Sequence, residues 1–161
     1  MKLLLILLIF LASAQGINLD RSDNLQVFFY EVYADGKETL NTHTLTIPPE
    51  LTTEDRAFIM FSKVFISSQA FNPGNIRILG VSFCEQCKHL VIDLSTEILN
   101  YGGSYFEYRL INKLIKNAAT LPNVNYFTIL IDGQLRYLPE GTLIYRVCLS
   151  KYQPQSNVEA H

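Results

Sequence analysis

The chain has 161 residues, of which 48% are hydrophobic and 17% charged, and its formal net charge at pH 7 is −2. A chain of this length forms one domain with a substantial core, and the lack of any block of like charges argues against binding to nucleic acid or to an anionic membrane surface. The three cysteines are an odd number, so at most one intramolecular disulfide can form.

The amino terminus has the features of a signal peptide. Lys2 supplies a positive charge, an unbroken apolar run extends from Leu3 to Leu11, and Ala12-Ser13-Ala14 is the small-residue pattern at which signal peptidase cleaves. The apolar run is shorter than the ~20 residues that span a bilayer, so we expect no stable membrane anchor after cleavage. Residues 1–14 are therefore predicted to be removed, and the mature chain to be exported to the periplasm, the cell envelope or the extracellular space.

A β-hairpin is predicted first. Residues from Leu25 to Tyr33 are mostly β-branched or aromatic, and Asp35-Gly36 supplies the positive φ that a tight turn needs. The segment from Thr42 to Ile47 alternates as a returning strand, and Pro48-Pro49 stops it because proline has no N–H to donate.

A helix follows the hairpin. Thr52 is a candidate cap, and Phe58, Phe61, Val64 and Phe65 recur at helical spacing before Asn72-Pro73-Gly74 ends the segment.

Two further strands come next. Residues from Ile76 to Phe83 predict a strand interrupted at Gly80, and those from His89 to Asp93 predict its partner. The segment from Cys84 to Lys88 connects the two strands.

A second helix and two strands complete the chain. The helix is predicted to follow Gly102-Gly103, with Ser104 and Glu107 as a capping box. Its apolar stripe consists of Phe106, Leu110, Ile111, Leu114, Ile115 and Ala118, and Leu121-Pro122-Asn123 ends it. Strands are then predicted from Val124 to Ile131, closed by Asp132-Gly133, and from Leu143 to Leu149.

The resulting order, β-β-α-β-β-α-β-β, predicts an α+β fold in which two helices pack on one face of a mainly antiparallel sheet. The domain is expected to cover residues 25–149, and residues 150–161 to form a polar carboxy-terminal tail.

Two stretches of the sequence resemble the GerM domain family of cell-envelope, sporulation-linked bacterial proteins. The first is the strand end from Leu90 to Ser95, followed by Gly102-Gly103-Ser104 and the helix with Glu107. The second runs without a gap from Leu121 to Gly133 and matches the family's pattern of a proline, a β-branched strand and an Asp-Gly turn.

The resemblance implies an exported, non-enzymatic scaffold or protein-binding module with a link to sporulation or germination, and with no catalytic residues, cofactor or metal. The expected partners are another envelope protein or further copies of the chain, with sheet edges as one route of association.

The Cys84-x-x-Cys87 motif supports an alternative, a small thiol-active or metal-binding protein. Redox chemistry requires the first thiolate at a helix amino terminus, but a strand is predicted after this motif, and no second pair of ligands completes a zinc site. A free or disulfide-bonded pair of cysteines in a turn is the favoured interpretation.

Two other groups of residues are candidates for a functional role. Tyr101, Tyr105 and Tyr108 are dense enough to suggest a protein-interaction surface, although they equally suit the rim of a core. Asp93 and Asp132 both end predicted strands and could form a carboxylate pair, but turn chemistry explains them better.

Overall fold

The computed structural model describes residues 22–66 and 70–152. The predicted signal peptide, residues 1–14, and the end of the tail, residues 153–161, lie outside the described residues. The elements are β1 (Asp23–Val32), β2 (Glu38–Ile47), α1 (Thr53–Ile66), β3 (Ile78–Cys84), β4 (His89–Leu94), α2 (Ser104–Thr120), β5 (Tyr126–Ile131) and β6 (Val147–Cys148), with 3-10 turns at Thr96–Leu99 and Leu149–Lys151.

The strands form two hydrogen-bonded sheets. β1 and β2 make a two-stranded hairpin, and β3, β4, β5 and β6 make a second sheet in that order. Three of the four strand pairings are antiparallel, and only β4 and β5 run parallel, because the connection between them crosses over through α2. The predicted α+β class is confirmed, with the correction that the strands are divided between two sheets.

The hairpin of β1 and β2 follows the sequence pattern. Ten successive residue pairs, from Asp23 opposite Ile47 to Val32 opposite Glu38, form its ladder. The turn contains Gly36 with φ of 80°, a left-handed conformation that glycine adopts without steric cost.

The core lies against one face of the four-stranded sheet. Parallel pairing places Leu90, Ile92 and Leu94 of β4 beside Phe127, Ile129 and Ile131 of β5, and all six side chains are buried. Phe61 of α1 stacks on Phe127 with 5.7 Å between ring centroids. Each such fully buried side chain contributes about 1.5–3 kcal/mol of hydrophobic stabilisation. α1 packs against β1 and β3, and α2 packs against β1.

The start of α1 agrees with the predicted cap, and Phe61 and Val64 lie on its buried face. The Asp55 N–H donates to Thr52 Oγ1 at 3.1 Å, and the Thr52 N–H donates to Asp55 Oδ2 at 3.3 Å. Of the four apolar residues that recur at helical spacing, Phe58 lies outside the buried face, since its side chain is 51% exposed. The buried positions are Ala57, Met60, Phe61 and Val64, a helical stripe that leaves Phe58 about 100° away.

The predicted capping box of α2 was wrong. Ser104 is already the first helical residue, and Gly103, with φ of 97°, occupies the N-cap position. The Glu107 carboxylate does not return to Ser104, because it accepts hydrogen bonds from the main chain of Glu140 and Thr142.

The last strand is shorter than predicted. Of the predicted segment from Leu143 to Leu149, only Val147 and Cys148 form ladder pairs with β5, and the Ile144 carbonyl accepts a further hydrogen bond from the Ile129 N–H at 3.0 Å. Arg146 has φ of 47° and donates its N–H to Thr128 Oγ1 at 2.9 Å. Just before β6 begins, the Thr128 side chain thus accepts the hydrogen bond that a main-chain carbonyl of β5 would accept in a regular ladder. The described helices include none that is long and apolar enough to cross a membrane.

Candidate interaction surface

Two tyrosines are exposed on the first two turns of α2. Tyr105 is 54% exposed and Tyr108 is 61% exposed, and Arg109 lies beside both. The Arg109 guanidinium carbon is 5.0 Å from the Tyr105 ring centroid and 5.7 Å from that of Tyr108. We call Tyr105, Tyr108 and Arg109 the α2 tyrosine surface.

Contacts with the β-hairpin hold this surface in place. Arg109 Nη2 pairs with the Glu38 carboxylate at 2.9 Å, and the Tyr105 hydroxyl also donates to Glu38. The guanidinium lies 5.1 Å from the ring of Tyr30, which is itself buried. Sequence reasoning identified Tyr105 and Tyr108 but not Arg109 or Glu38, because no local pattern links a residue at the start of β2 to one in α2.

Tyr101, the third predicted surface residue, lies apart from the other two. Its ring is half-buried and stacks on Phe106 with 4.7 Å between centroids, and its hydroxyl donates to Glu107 Oε2 at 2.8 Å. Burial and the neighbouring Glu107 carboxylate raise the pKa of Tyr101 well above its usual range. The structure therefore brings together two of the three tyrosines and places Tyr101 at the edge of the interior.

Glu107 is a buried carboxylate whose hydrogen-bond donors include a tyrosine hydroxyl and two main-chain N–H groups. Besides the Tyr101 hydroxyl, the N–H groups of Glu140 and Thr142 donate to it at 2.7 and 3.2 Å. Burial alone would raise the pKa of Glu107, but the hydrogen bonds outweigh it and hold the pKa below the ordinary value. The Glu140 side chain in turn accepts a hydrogen bond from the Gly103 N–H, at the start of α2, at 2.7 Å. The two carboxylates thus fasten the 139–142 segment to the start of α2.

Lys113 is a buried amine on the same helix. Its Nζ donates to the carbonyl oxygens of Ala70 and Phe71 at 3.2 and 3.1 Å and to Asn72 Oδ1 at 2.6 Å. Burial lowers the pKa of Lys113 to about 7. All three acceptors are neutral, and the lysine fixes a chain segment in which Phe71 has φ of 59°. No sequence pattern indicates this role, because a lysine in an amphipathic helix usually faces solvent.

The cysteine motif forms a disulfide in a strand-to-strand turn. Cys84 and Cys87 are bonded, with their Cα atoms 5.5 Å apart, between the end of β3 and the start of β4. Lys88, with φ of 51°, completes the turn and pairs with Glu85 at 3.1 Å. No helix begins at the motif, so the dipole that activates a redox thiolate is missing at this position.

The other candidate groups have structural partners. Asp93 Oδ1 accepts from the Gly133 N–H at 2.9 Å, which agrees with the turn interpretation. Cys148 is exposed, and a hydrogen bond with Ser150 lowers its thiol pKa. Within residues 22–66 and 70–152, no three His, Cys, Asp or Glu side chains come together in a way that could hold a metal ion.

These features define the class: a small α+β domain whose buried polar side chains bind main-chain groups, with two exposed tyrosines beside a partly buried arginine on one helix. No family profile matches the sequence, and no curated protein matches it.

The fold is that of GerMN domains. The structure is similar to the first GerMN domain of the sporulation protein GerM from Bacillus subtilis, with a TM-score of 0.54 and 19% identity, over 79% of this chain and 98% of that one. It is also similar to the tandem GerMN domains of the same protein, with a TM-score of 0.54 and 14% identity, over 83% of this chain. The match spans 48% of the tandem, about the length of one of its two domains. The GerM-like fold suggested by the sequence is thereby confirmed.

Proposed function

We propose that this chain is an exported, non-enzymatic binding module of the bacterial cell envelope, linked to sporulation. The main support is that nearly the whole of a GerMN domain from a sporulation protein superimposes on this chain. The signal-peptide pattern of residues 1–14 supports export. We expect the mature protein to begin at Gln15, which the intact mass of protein recovered from the envelope or medium would test.

The α2 tyrosine surface is the proposed contact site for an envelope protein. Tyrosine and arginine are enriched at the centres of protein interfaces, where their rings and planar groups provide large contact areas. Here the stacking on Arg109 and the ion pair with Glu38 already restrain the side chains before binding. Restrained side chains lose less conformational entropy when a partner binds.

Site-specific photocrosslinking tests this proposal. A photoreactive phenylalanine analogue replaces Tyr108 in one variant and Tyr137 in the control, because Tyr137 is 67% exposed but lies outside α2. Both variants are expressed in the native host and irradiated, and the envelope fraction is analysed. We expect a discrete adduct with an envelope protein from position 108 and none from position 137. Equal labelling at both positions, or adducts with no envelope protein, would contradict the proposal.

A further inference from the structure

The two edges of the β1–β2 hairpin differ in whether another element covers them. The edge of β1 is covered by α2, since the Phe28 N–H donates to Asn117 Oδ1 at 2.9 Å and Asn117 Nδ2 donates to the Phe28 carbonyl at 2.8 Å. Thr120 Oγ1 also donates to the Gln26 carbonyl at 3.2 Å. A fully buried amide therefore occupies the place that another strand would take.

These contacts show which main-chain N–H and C=O groups of β2 point away from β1. In an antiparallel ladder, the main-chain groups of two facing residues point either toward each other or both away. Phe28 faces Thr42 and directs both of its groups to α2, so the N–H and C=O of Thr42 point away from β1. The same alternation applies to Leu40, Thr44 and Thr46. Within the described residues, β2 has β1 as its only strand partner.

The middle of the open β2 edge lacks the usual protections, which are confined to its ends, with Lys37 and Glu38 at the start and Pro48-Pro49 after Ile47. The strand pairs with β1 over ten residues without a bulge, and between Thr39 and Ile47 it contains no lysine, proline or acidic residue. Thr42, His43 and Thr44 are exposed along it. Proteins that keep such an edge free of partners normally shorten, charge or twist it.

We propose that β2 pairs antiparallel with β2 of a second copy of this chain, about a twofold axis at Thr42, to form a four-stranded sheet. The inference rests on the proposed function as a binding module and names a partner for it. The outward residues would form five facing pairs: Thr42 with Thr42, Leu40 with Thr44 and Glu38 with Thr46, the last two occurring twice. At two hydrogen bonds per pair, the ladder would contain about ten.

Self-complementarity favours a second copy over a foreign peptide. A twofold interface sets the same surface against itself. This register places no like charges opposite each other, because Glu38, the only charged residue of β2, faces Thr46. Glu38 is also paired with Arg109 of its own chain. A second β2 is also already extended, whereas a disordered peptide would lose entropy on becoming ordered. One added strand pairing is a small interface, so the dimer is expected to be weak and concentration-dependent.

Cysteine crosslinking tests the register. In a Cys148→Ser background, Thr42→Cys would place two cysteines on the twofold axis with Cα atoms about 5.5 Å apart, within the range of a disulfide. The matched control is Thr46→Cys, also exposed on β2, whose two copies would lie about 27 Å apart in this register. We expect mild oxidation to produce covalent dimer at least tenfold faster from position 42. Equal rates at both positions would overturn the register.

Sedimentation equilibrium of the purified mature chain tests the dimer itself. Thr42→Lys would place two ammonium groups on the axis, whereas Thr42→Val keeps a β-branched side chain, and thermal unfolding of each variant verifies its fold. We expect the dissociation constant to rise at least tenfold in the lysine variant and to stay within about threefold in the valine variant.

A wild-type chain that remains monomeric up to millimolar concentration, or a dimer that Thr42→Lys leaves unchanged, would overturn the inference. So would a monomer that captures a foreign strand along β2. Photocrosslinking from position 108 tests the α2 tyrosine surface separately. An envelope partner bound to α2 would still be captured by a chain that also carries Thr42→Lys. Failure of the β2 pairing is therefore distinguishable from failure of the proposed function.

Discussion

Replacing Glu107 with glutamine tests whether its buried carboxylate holds the 139–142 segment. Glu107 is 2% exposed and accepts from the Tyr101 hydroxyl and the N–H groups of Glu140 and Thr142. Glutamine has the same shape, but its NH₂ group cannot accept. In the orientation that keeps the contacts to Tyr101 and Glu140, the NH₂ group would face the Thr142 N–H, donor against donor.

The magnitude follows from these contacts. A hydrogen bond to a charged group contributes about 1.5–3 kcal/mol, and a main-chain N–H left without an acceptor costs a similar amount when it is buried. Thr142 is only partly buried, so water will relieve some of that cost. We therefore expect Glu107→Gln to lower the free energy of unfolding by about 2–4 kcal/mol.

Urea unfolding at pH 7 provides the measurement, with Glu140→Gln as the control. The Glu140 side chain is exposed and accepts one hydrogen bond, from the Gly103 N–H at 2.7 Å, and the substitution keeps the Glu140 main-chain bond to Glu107. Its expected cost is below about 1 kcal/mol. Equal effects of the two substitutions, or a loss below about 0.5 kcal/mol for Glu107→Gln, would refute the reasoning.

The pH dependence offers an independent check on Glu107. Its pKa in the folded chain lies below the ordinary value of 4.5, because the hydrogen bonds outweigh the effect of burial. A carboxylate with a lowered pKa stabilises the folded state fully above pH 4.5 and loses this contribution as the pH falls through the folded value. The wild type should therefore lose stability in acid more steeply than Glu107→Gln, and parallel curves below pH 4.5 would contradict this assignment.

Two further predictions concern the buried amine and the disulfide. Because burial lowers the pKa of Lys113 to about 7 from the ordinary 10.5, the unfolded chain binds more protons between these values, and stability should rise with pH from 7 to 10.5 by up to about 5 kcal/mol. Chemical denaturation of Lys113→Met across this range should show a flatter rise, and an unchanged slope would contradict the assignment. The disulfide closes a four-residue loop, so replacing Cys84 and Cys87 with serine should cost no more than about 2 kcal/mol. In the native protein only Cys148 should react with a thiol reagent, and rapid labelling of Cys84 would instead favour the thiol-active alternative.

The elements that sequence predicted well have strong local signals. The hairpin, β4 and β5 combine β-branched or aromatic runs with turn residues such as Gly36 and Gly133, both with positive φ. The last strand is predicted to begin too early because the composition is strand-like from Leu143 onward. Arg146 instead adopts a left-handed conformation that only its surroundings determine. Phe58 fits the helical spacing of the apolar residues, although the neighbouring face of α1 is the one that packs.

The candidate site was predictable only in part, for a physical reason. Tyrosine density pointed to Tyr105 and Tyr108, but the residue that organises them, Arg109, pairs with Glu38, which is far away in sequence. Tyr101 was grouped with them by proximity along the chain, yet its hydroxyl is directed to Glu107. Local patterns report which side chains are suited to a surface, while only the tertiary contacts decide which of them share one.

The buried polar side chains of α2 connect the fold to the proposed function. Glu107 binds the 139–142 segment, Lys113 binds residues 70–72, and Asn117 binds the edge of β1. Each contact joins an irregular segment or the edge of β1 to one side of α2. An apolar side chain at any of these positions would leave main-chain groups without partners. With that side of the helix held at three points, the opposite side has little freedom to shift. Tyr105 and Tyr108 are consequently presented on a rigid support, which is the arrangement that lowers the entropic cost of binding a partner.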